Sequence, residues 1–303
     1  MDRKFSGVSQ ALSRFRGWIQ AGATLLTNLH LPNFLKGGLY QGAGKTVCVP
    51  GLNCYSCPAA SGACPIGAFQ AVVGSSKFSF SYYITGFLIL LGVLLGRFIC
   101  GFLCPFGWFQ ELLHKIPTKK LSTKKLKPLR YLKYAVLLVM VFLLPAFLVN
   151  DVGMGDPFFC KYLCPQGVLE GAIPLSLTNS GIRAALGSLF TWKFSLLLAV
   201  IVLSIVFYRP FCKWLCPLGA FYALFNRVSL FQMKVDKNKC VSCGKCARAC
   251  KMDVDVTKTP NHTECIRCGM CIRACPTNAV SFRYGFGDGK KEPVNEIKME
   301  ETK

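Results

Sequence analysis

The composition of this 303-residue chain excludes most soluble domains, because 52% of its residues are hydrophobic. Its 18 cysteines are too many for chance, and the chain is too long and apolar for a small secreted disulfide scaffold, so they predict metal ligation. The formal charge of +22 does not indicate a nucleic-acid partner, since the basic residues flank apolar segments or lie among cysteines.

Four uncharged apolar stretches, each bounded by charge, predict a polytopic α-helical membrane domain of about four helices. The first, Gly17–Leu35, is diluted by polar residues, so it is either a span or an interfacial helix. Phe78–Gly96 is long enough to cross a bilayer. Tyr134–Asn150 and Phe194–Tyr208 are shorter predicted spans, and the latter extends back toward Ala184.

The loop between the second and third stretches predicts the orientation of the chain. It carries only basic charges from Lys115 to Lys133, so the positive-inside rule places it in the cytoplasm. The chain after Arg209 then returns to the cytoplasm. We therefore expect a membrane domain over 1–228, a cytoplasmic domain over 229–284 and a charged tail over 285–303, without a secretory signal pattern.

Two cysteine runs near the C-terminus form the strongest motif in the chain. They contain Cys240, Cys243, Cys246 and Cys250, and then Cys265, Cys268, Cys271 and Cys275. Such runs hold two [4Fe–4S] clusters in a bacterial-type α+β ferredoxin domain, where the fourth cysteine of each run reaches the other cluster. We predict one cluster on Cys240, Cys243, Cys246 and Cys275, and one on Cys265, Cys268, Cys271 and Cys250. Structural zinc is the alternative, although a zinc site needs neither a third closely spaced cysteine nor a fourth ligand taken from the other run.

A second motif, cysteine-proline-any-glycine, occurs four times in the apolar part of the chain. It begins at Cys64, Cys104, Cys164 and Cys216, and in the last three a further cysteine lies four residues earlier, at Cys100, Cys160 and Cys212. A cysteine before proline predicts a helix start, with the thiolate at the positive end of the helix dipole. The glycine removes a side chain where the helix approaches its neighbour or cofactor.

One such motif supplies two thiolates, so a four-ligand cluster needs two motifs that meet. If three stretches each cross once, an inner cluster forms on Cys100, Cys104, Cys212 and Cys216. The opposite side collects six cysteines, from which we predict an outer cluster on Cys57, Cys64, Cys160 and Cys164, with Cys57 replacing the cysteine missing at Ala60. Cys48 and Cys54 remain open, and disulfides are the alternative for the outer set.

The chain resembles the membrane polyferredoxin family that includes the NapH subunit of periplasmic nitrate reductase systems and the membrane portion of NosR-type proteins. The resemblance rests on Cys100–Gly107, Cys160–Gly167, Cys212–Gly219 and the two ferredoxin runs, roughly the last two thirds of the chain. It implies a multi-pass protein of the bacterial inner membrane that carries electrons between a quinone pool or cytosolic donor and an outer redox partner. Such a protein is an electron-transfer subunit rather than a stand-alone enzyme.

The predicted function is an electron relay in which the inner cluster faces the outer one across a hydrocarbon core of about 30 Å, with both recessed to shorten the gap. A basic ferredoxin surface that includes Lys237, Lys245 and Arg273 suits an acidic ferredoxin- or flavodoxin-like donor, or else offsets cluster charge. The alternatives are a redox-responsive membrane regulator and a zinc scaffold. His30 is a weak candidate for quinone contact, and no catalytic residues are predicted.

Overall fold

The computed structural model describes residues 2–75, 81–150 and 154–285, which are mostly helical and contain one two-stranded sheet. The helices are α1 (Asp2–Thr27), α2 (Asn33–Lys36), α3 (Pro65–Gly74), α4 (Tyr82–Leu95), α5 (Phe98–Phe102), α6 (Pro105–His114), α7 (Leu126–Phe147), α8 (Val168–Thr178), α9 (Ser180–Ala184), α10 (Ser188–Val206), α11 (Pro210–Trp214), α12 (Pro217–Phe225), α13 (Lys245–Ala249) and α14 (Met270–Ala274). The strands are β1 (Phe231–Val235) and β2 (Val280–Tyr284).

Two helices of the described residues, α7 and α10, are long and apolar enough to cross a membrane. The predicted stretch Phe78–Gly96 is shorter as a helix, since α4 begins at Tyr82 and ends before Gly96, whose φ is +54°. Residues 76–80 lie outside the described residues. The described parts therefore contain two helices of spanning length and do not confirm the predicted four.

The outward faces of α7 and α10 carry large apolar side chains. Leu138 and Phe147 of α7 are exposed, as are Trp192 and Val202 of α10. Exposed apolar area of this extent is unfavourable in water and favourable against lipid tails. The two helices thus have the surface that a bilayer requires.

Helix α1 buries polar side chains against the rest of the protein and exposes large apolar ones. Ser9, Ser13 and Gln20 are buried at helical spacing, whereas Phe15 and Trp18 are exposed. The helix has 26 residues and is about 39 Å long. It contacts β2 and α14 near its start, and its last residues reach the loop that precedes α3. The predicted stretch Gly17–Leu35 is therefore divided between α1 and α2.

The C-terminal domain has the strands and short helices of a ferredoxin. Strand β1 pairs antiparallel with β2 from Phe231 opposite Tyr284 to Val235 opposite Val280. Both strands fall within the predicted range 229–284, and the predicted tail lies outside the described residues apart from Gly285. Met233, Ile272 and Phe282 belong to a small separate core.

Buried ion pairs attach the ferredoxin domain to the helical part. Glu264 pairs with Arg97 at 3.1 Å and with Lys133 at 2.5 Å, and both cations are fully buried. Although burial opposes ionisation, these cations hold the pKa of Glu264 at about 2. Asp253 pairs in the same way with Lys213 and Arg130. Charges buried in pairs fix the two parts in one arrangement, because separating them would leave a charge unpaired.

Candidate iron–sulfur centres

The eight ferredoxin cysteines line two separate cavities. A cavity of about 330 Å³ is lined by Cys240, Cys243, Cys246 and Cys275, which we name the first ferredoxin site. The other is lined by Cys250, Cys265, Cys268 and Cys271, which we name the second ferredoxin site. The fourth cysteine of each run thus lies with the first three of the other run, so the structure brings together both predicted sets.

Backbone N–H groups and glycines shape these two loops. Gly244 and Gly269 have φ of +67° and +76°, a region where a side chain is strained. The Val254 N–H donates to Cys250 Sγ at 3.4 Å, and the Ala279 N–H donates to Cys275 Sγ at 3.3 Å. Hydrogen bonds of this kind stabilise thiolates and raise the reduction potential of a cluster held by them.

The cysteine-proline motifs begin helices, as the sequence predicts. Cys64, Cys104 and Cys216 are the N-cap residues of α3, α6 and α12, and proline is the first residue of each helix. Around Cys164 the same turn leads into α8. The Cys216 thiol accepts a hydrogen bond from the N–H of its motif glycine, Gly219, at 3.3 Å. In the other three motifs the N–H of the glycine lies near the thiol and favours the thiolate: Gly67, Gly107 and Gly167.

The predicted inner set is assembled in the structure, and we name Cys100, Cys104, Cys212 and Cys216 the inner site. The Cys216 thiol lies within electrostatic range of the other three. All four are buried. Burial and the neighbouring thiols raise the pKa of Cys104 to about 12. Thiols so close together ionise only when a cationic centre stabilises the thiolates, and this is what an iron–sulfur cluster provides.

Two fully buried arginines flank the inner site. Arg97 contacts Glu264, while Arg209 pairs with Glu111 at 3.0 Å and donates to the Cys100 carbonyl at 2.5 Å. Within the described residues, the Nη2 atom of each has no hydrogen-bond partner. Both guanidinium groups interact with the site, Arg97 with Cys100 and Arg209 with Cys212 and Cys104. Unpartnered buried donors beside four thiols fit an anionic thiolate-bound cluster.

The outer set differs from the prediction in one cysteine. A cavity of about 160 Å³ is lined by Cys54, Cys64, Cys160 and Cys164, which we name the outer site. Cys57 instead lies in a small core with Ala59 and Ala60, its Sγ 3.6 Å from the Asn28 Oδ1. The reason is a long-range contact, since the Cys54 N–H donates to Glu170 Oε2 at 3.0 Å and holds Cys54 over α8.

The inner and outer sites adjoin each other, which corrects the expected separation by a hydrocarbon core. The Leu52 N–H lies near the Cys104 thiol and the Asn53 N–H lies near the Cys64 thiol, and each favours the thiolate beside it. Successive Cα atoms are only about 3.8 Å apart. The neighbouring Gly51 packs on the backbone of Cys104, where an added Cβ would lie 2.8 Å from the Cys104 Cα. One loop thus serves both sites.

The sixth residue after each motif cysteine is a functional position that the sequence reasoning missed. In α3 and α6 it is Gln70 and Gln110, which donate to Cys160 Sγ at 3.2 Å and Cys212 Sγ at 3.1 Å. In the other two motifs it is Glu170, which holds Cys54, and Tyr222, which donates to the Pro50 carbonyl at 3.1 Å. The signal was present in the shared pattern of residues 64–70 and 104–110.

The inner site also adjoins the second ferredoxin site. Gly101, next to Cys100, packs on the Ile266 carbonyl so closely that any side chain would collide with it. Arg97 donates to the Thr263 carbonyl at 2.9 Å from the other side. Ile266 follows Cys265, a member of the second ferredoxin site. The four cysteine sites therefore form a continuous series from the ferredoxin domain into the helical part.

Known proteins with the same motifs agree with this reading of the sites. A 4Fe-4S binding domain family matches residues 62–82, 79–124, 133–173 and 189–238, about half of the chain. A second 4Fe-4S binding domain family matches residues 233–254 and 259–281. No solved structure matches the chain. These matches define an iron–sulfur protein of the ferredoxin type.

Similarity to three known proteins identifies the family more narrowly. An uncharacterized protein of Methanocaldococcus jannaschii is 34% identical over 66% of this chain and 77% of its own length. The putative electron transport protein YccM of Escherichia coli is 27% identical over 56% of this chain and 45% of its own. The regulatory protein NosR of Stutzerimonas stutzeri is 28% identical over 53% of this chain and 21% of its own. The chain belongs to the NapH/NosR-like polyferredoxin family of 4Fe-4S binding membrane proteins.

Proposed function

We propose that this chain is a membrane-bound electron relay with four [4Fe–4S] sites in series. The observation that carries the proposal is the continuity of the sites: Gly101 packs on Ile266, and Leu52 and Asn53 serve the inner and outer sites. When bound, the clusters supply one-electron transfer. The similarity to YccM, a putative electron transport protein, supports this function.

The chain itself contributes the shielding and the polarity of the sites. The inner cysteines are buried, so water is kept from them, and the buried Arg97 and Arg209 offset negative charge there. Gln110 and Gln70 each direct an N–H group at a ligand sulfur. These groups are held before any electron arrives, so little reorganisation accompanies transfer.

The cysteines at the two ends of the series are more accessible than those of the fully buried inner site, which supports docking of partners at the ends. Cys243 of the first ferredoxin site is exposed, and Cys54 and Cys160 of the outer site are half-buried. We propose a cytosolic ferredoxin- or flavodoxin-like donor, or a quinone, and an acceptor on the outer side. The arrangement supposes a multi-pass membrane domain over 1–228, with the ferredoxin domain over 229–284 and tail over 285–303 in the cytoplasm.

A redox-responsive regulator is the second candidate, favoured by the similarity to the regulatory protein NosR. A regulator would change the state of a partner without passing electrons through the membrane. The two functions therefore differ in a vesicle assay, in which only the relay connects an inside donor to an outside acceptor.

The proposal is tested by anaerobic purification with iron and sulfide analysis, EPR and a vesicle assay. We expect about sixteen iron and sixteen acid-labile sulfide atoms per chain. Cys100→Ser should stop electron transfer across vesicles while the ferredoxin signals remain. About eight irons in the wild-type protein would exclude clusters at the inner and outer sites, and zinc without sulfide would overturn the proposal entirely.

A further inference from the structure

A cavity of about 380 Å³ lies between the ferredoxin domain and the ends of the two longest apolar helices. Its basic lining residues come from both parts of the protein: His114, Lys120, Lys124, Lys213, Arg248 and Lys251. Cys250 forms part of one wall, so the cavity borders the second ferredoxin site without being that site. The proposed relay makes no use of this space.

The charge around this cavity is strongly unbalanced. Five lysine and arginine side chains line it, and Asp253 is the acid among its described lining residues. Asp253 already pairs with Lys213 at 3.2 Å and with Arg130 at 3.2 Å. One carboxylate shared between two cations cannot neutralise the remaining four lining cations, so an anion is attracted to the cavity.

The floor of the cavity is built from buried polar side chains. Lys213 is 1% exposed and donates to the Lys251 carbonyl at 2.7 Å. His114 is 8% exposed, and its Nδ1 atom has no hydrogen-bond partner within the described residues. Burial and the nearby Lys251 and Lys120 lower the pKa of His114, which agrees with an unbalanced positive potential. A buried polar atom without a partner is costly unless a ligand or water satisfies it.

The mouth of the cavity lies at the ends of both helices of spanning length. The Leu121 N–H donates to the Val206 carbonyl at 3.2 Å, at the last residue of α10. The Lys120 Nζ donates to the Ile205 carbonyl at 2.7 Å, and α7 begins at Leu126. If α7 and α10 cross the bilayer, this wall lies at the level of lipid headgroups, where basic side chains attract anionic lipids.

We propose that this cavity binds one phosphate group, supplied by the headgroup of an anionic phospholipid or by free phosphate. Lysine is a common ligand of phosphate oxygens, and arginine offers several donors to them at once. Offset of cluster charge does not account for the whole lining. Lys120 donates to the Ile205 carbonyl near the end of α10 and to the Ile116 carbonyl after α6, and not to the ferredoxin loop that holds Cys250.

The test compares the cluster-loaded wild-type protein with the double variant K120Q/K124Q. Both lysines are exposed, so their replacement should leave the fold and the EPR signals intact. The matched control is K36Q/K234Q, which removes two exposed lysines that line neither this cavity nor any of the cysteine-lined cavities. Inorganic phosphate is titrated calorimetrically into protein in a maltoside detergent. In a second arm, native mass spectrometry counts lipids retained from nanodiscs of phosphatidylglycerol or of phosphatidylcholine.

We expect K120Q/K124Q to bind at least tenfold more weakly than the wild type in one arm, and the control to stay within twofold. Phosphate binding in detergent identifies the free anion, whereas retention of phosphatidylglycerol alone identifies the lipid. Absence of both from the wild type, or equal binding by wild type and K120Q/K124Q, overturns the proposal. Electron transfer is a separate readout, so neither result depends on the relay.

Discussion

The inner and outer sites are built from the same parts but differ in the charge placed around them. In each, one cysteine begins a helix that carries glutamine six residues on, and a second motif supplies two more cysteines. Gln70 and Gln110 direct their N–H groups at equivalent sulfurs, Cys160 and Cys212. The backbone arrangement is thus repeated.

The surroundings are not repeated. Arg97 and Arg209 beside the inner site are fully buried, whereas Lys193 beside the outer site is half-buried and donates to the Cys160 carbonyl at 3.0 Å. The outer site also includes Glu170, whose pKa burial raises to about 7. A cation that is kept from water acts more strongly on a nearby cluster. If each site holds a cluster, as proposed, we expect the inner cluster to have the more positive potential.

The largest expected effect comes from the fourth ligand of the outer site. Cys54→Ser should remove about four irons and the EPR signal of one cluster, because Cys54 lines the outer cavity. Cys57→Ser should leave both unchanged, since Cys57 packs with Ala59 and Ala60 and does not line the outer cavity. Iron analysis of the two variants decides between them. Loss of iron from Cys57→Ser alone would restore the ligand set predicted from the sequence.

The next effect concerns the charges that support only the inner site. Glu111→Gln leaves the buried Arg209 without its carboxylate and should cost about 3–5 kcal/mol of stability. Although burial opposes ionisation, Arg209 and Arg16 hold the pKa of Glu111 at about 2. A depressed pKa contributes stability above the unfolded value near 4.5, and this is lost as the pH falls toward 2.

Thermal unfolding followed by circular dichroism, repeated at several pH values, measures both parts of this prediction. Asp156→Asn is the matched control, since its pair with Lys161 is partly exposed and should contribute little to stability. Equal unfolding temperatures for the wild type and Glu111→Gln would contradict the role given to Glu111.

A smaller effect should separate the potentials of the two sites. Arg209→Gln removes a buried positive charge, so the midpoint potential of the inner cluster should fall by on the order of 100 mV. Lys193→Gln should lower the outer potential by less, because Lys193 is half-buried. EPR-monitored redox titration of both variants measures the shifts. Equal shifts would show that burial of the cation does not distinguish the sites.

The smallest effect should be the same at both sites. Gln110→Leu and Gln70→Leu each remove one N–H···S hydrogen bond, at 3.1 Å and 3.2 Å, so each potential should fall by on the order of tens of millivolts. The same redox titration applies. A shift at one site only would mean that the two glutamines are not equivalent.

Local patterns predicted much of the structure from the sequence. The spacing of the ferredoxin cysteines is enough to predict that Cys250 lies with the second run and Cys275 with the first, because a short loop and one helical turn fix the geometry. Proline after Cys64, Cys104 and Cys216 likewise marked the helix starts. Counting crossings predicted the group of four inner cysteines that the structure places close together, although the described residues contain two helices of spanning length.

The remaining features depend on contacts between residues far apart in the sequence. The sequence could not distinguish Cys54 from Cys57 as the fourth cysteine of the outer site, because the position of Cys54 depends on a hydrogen bond to the distant Glu170 in α8. The closeness of the inner and outer sites follows from the path of Gly51 to Asn53, a loop without regular periodicity. Counting crossings assigns each cysteine to a side of the membrane but gives no depth, so the expected distance between the inner and outer sites was too large.

Because α1 buries its polar side chains and exposes its apolar ones, its contacts depend on which face of the helix is turned toward the protein as much as on its composition. Inserting one residue near its middle would rotate one half of the helix by about 100° relative to the other, so that Ser9 and Ser13 would no longer lie on the same face as Gln20. Substitutions among apolar residues on the outer face keep that alignment. Natural variants of this helix should therefore differ freely at Phe15 and Trp18 yet conserve the number of residues between Ser9 and Gln20.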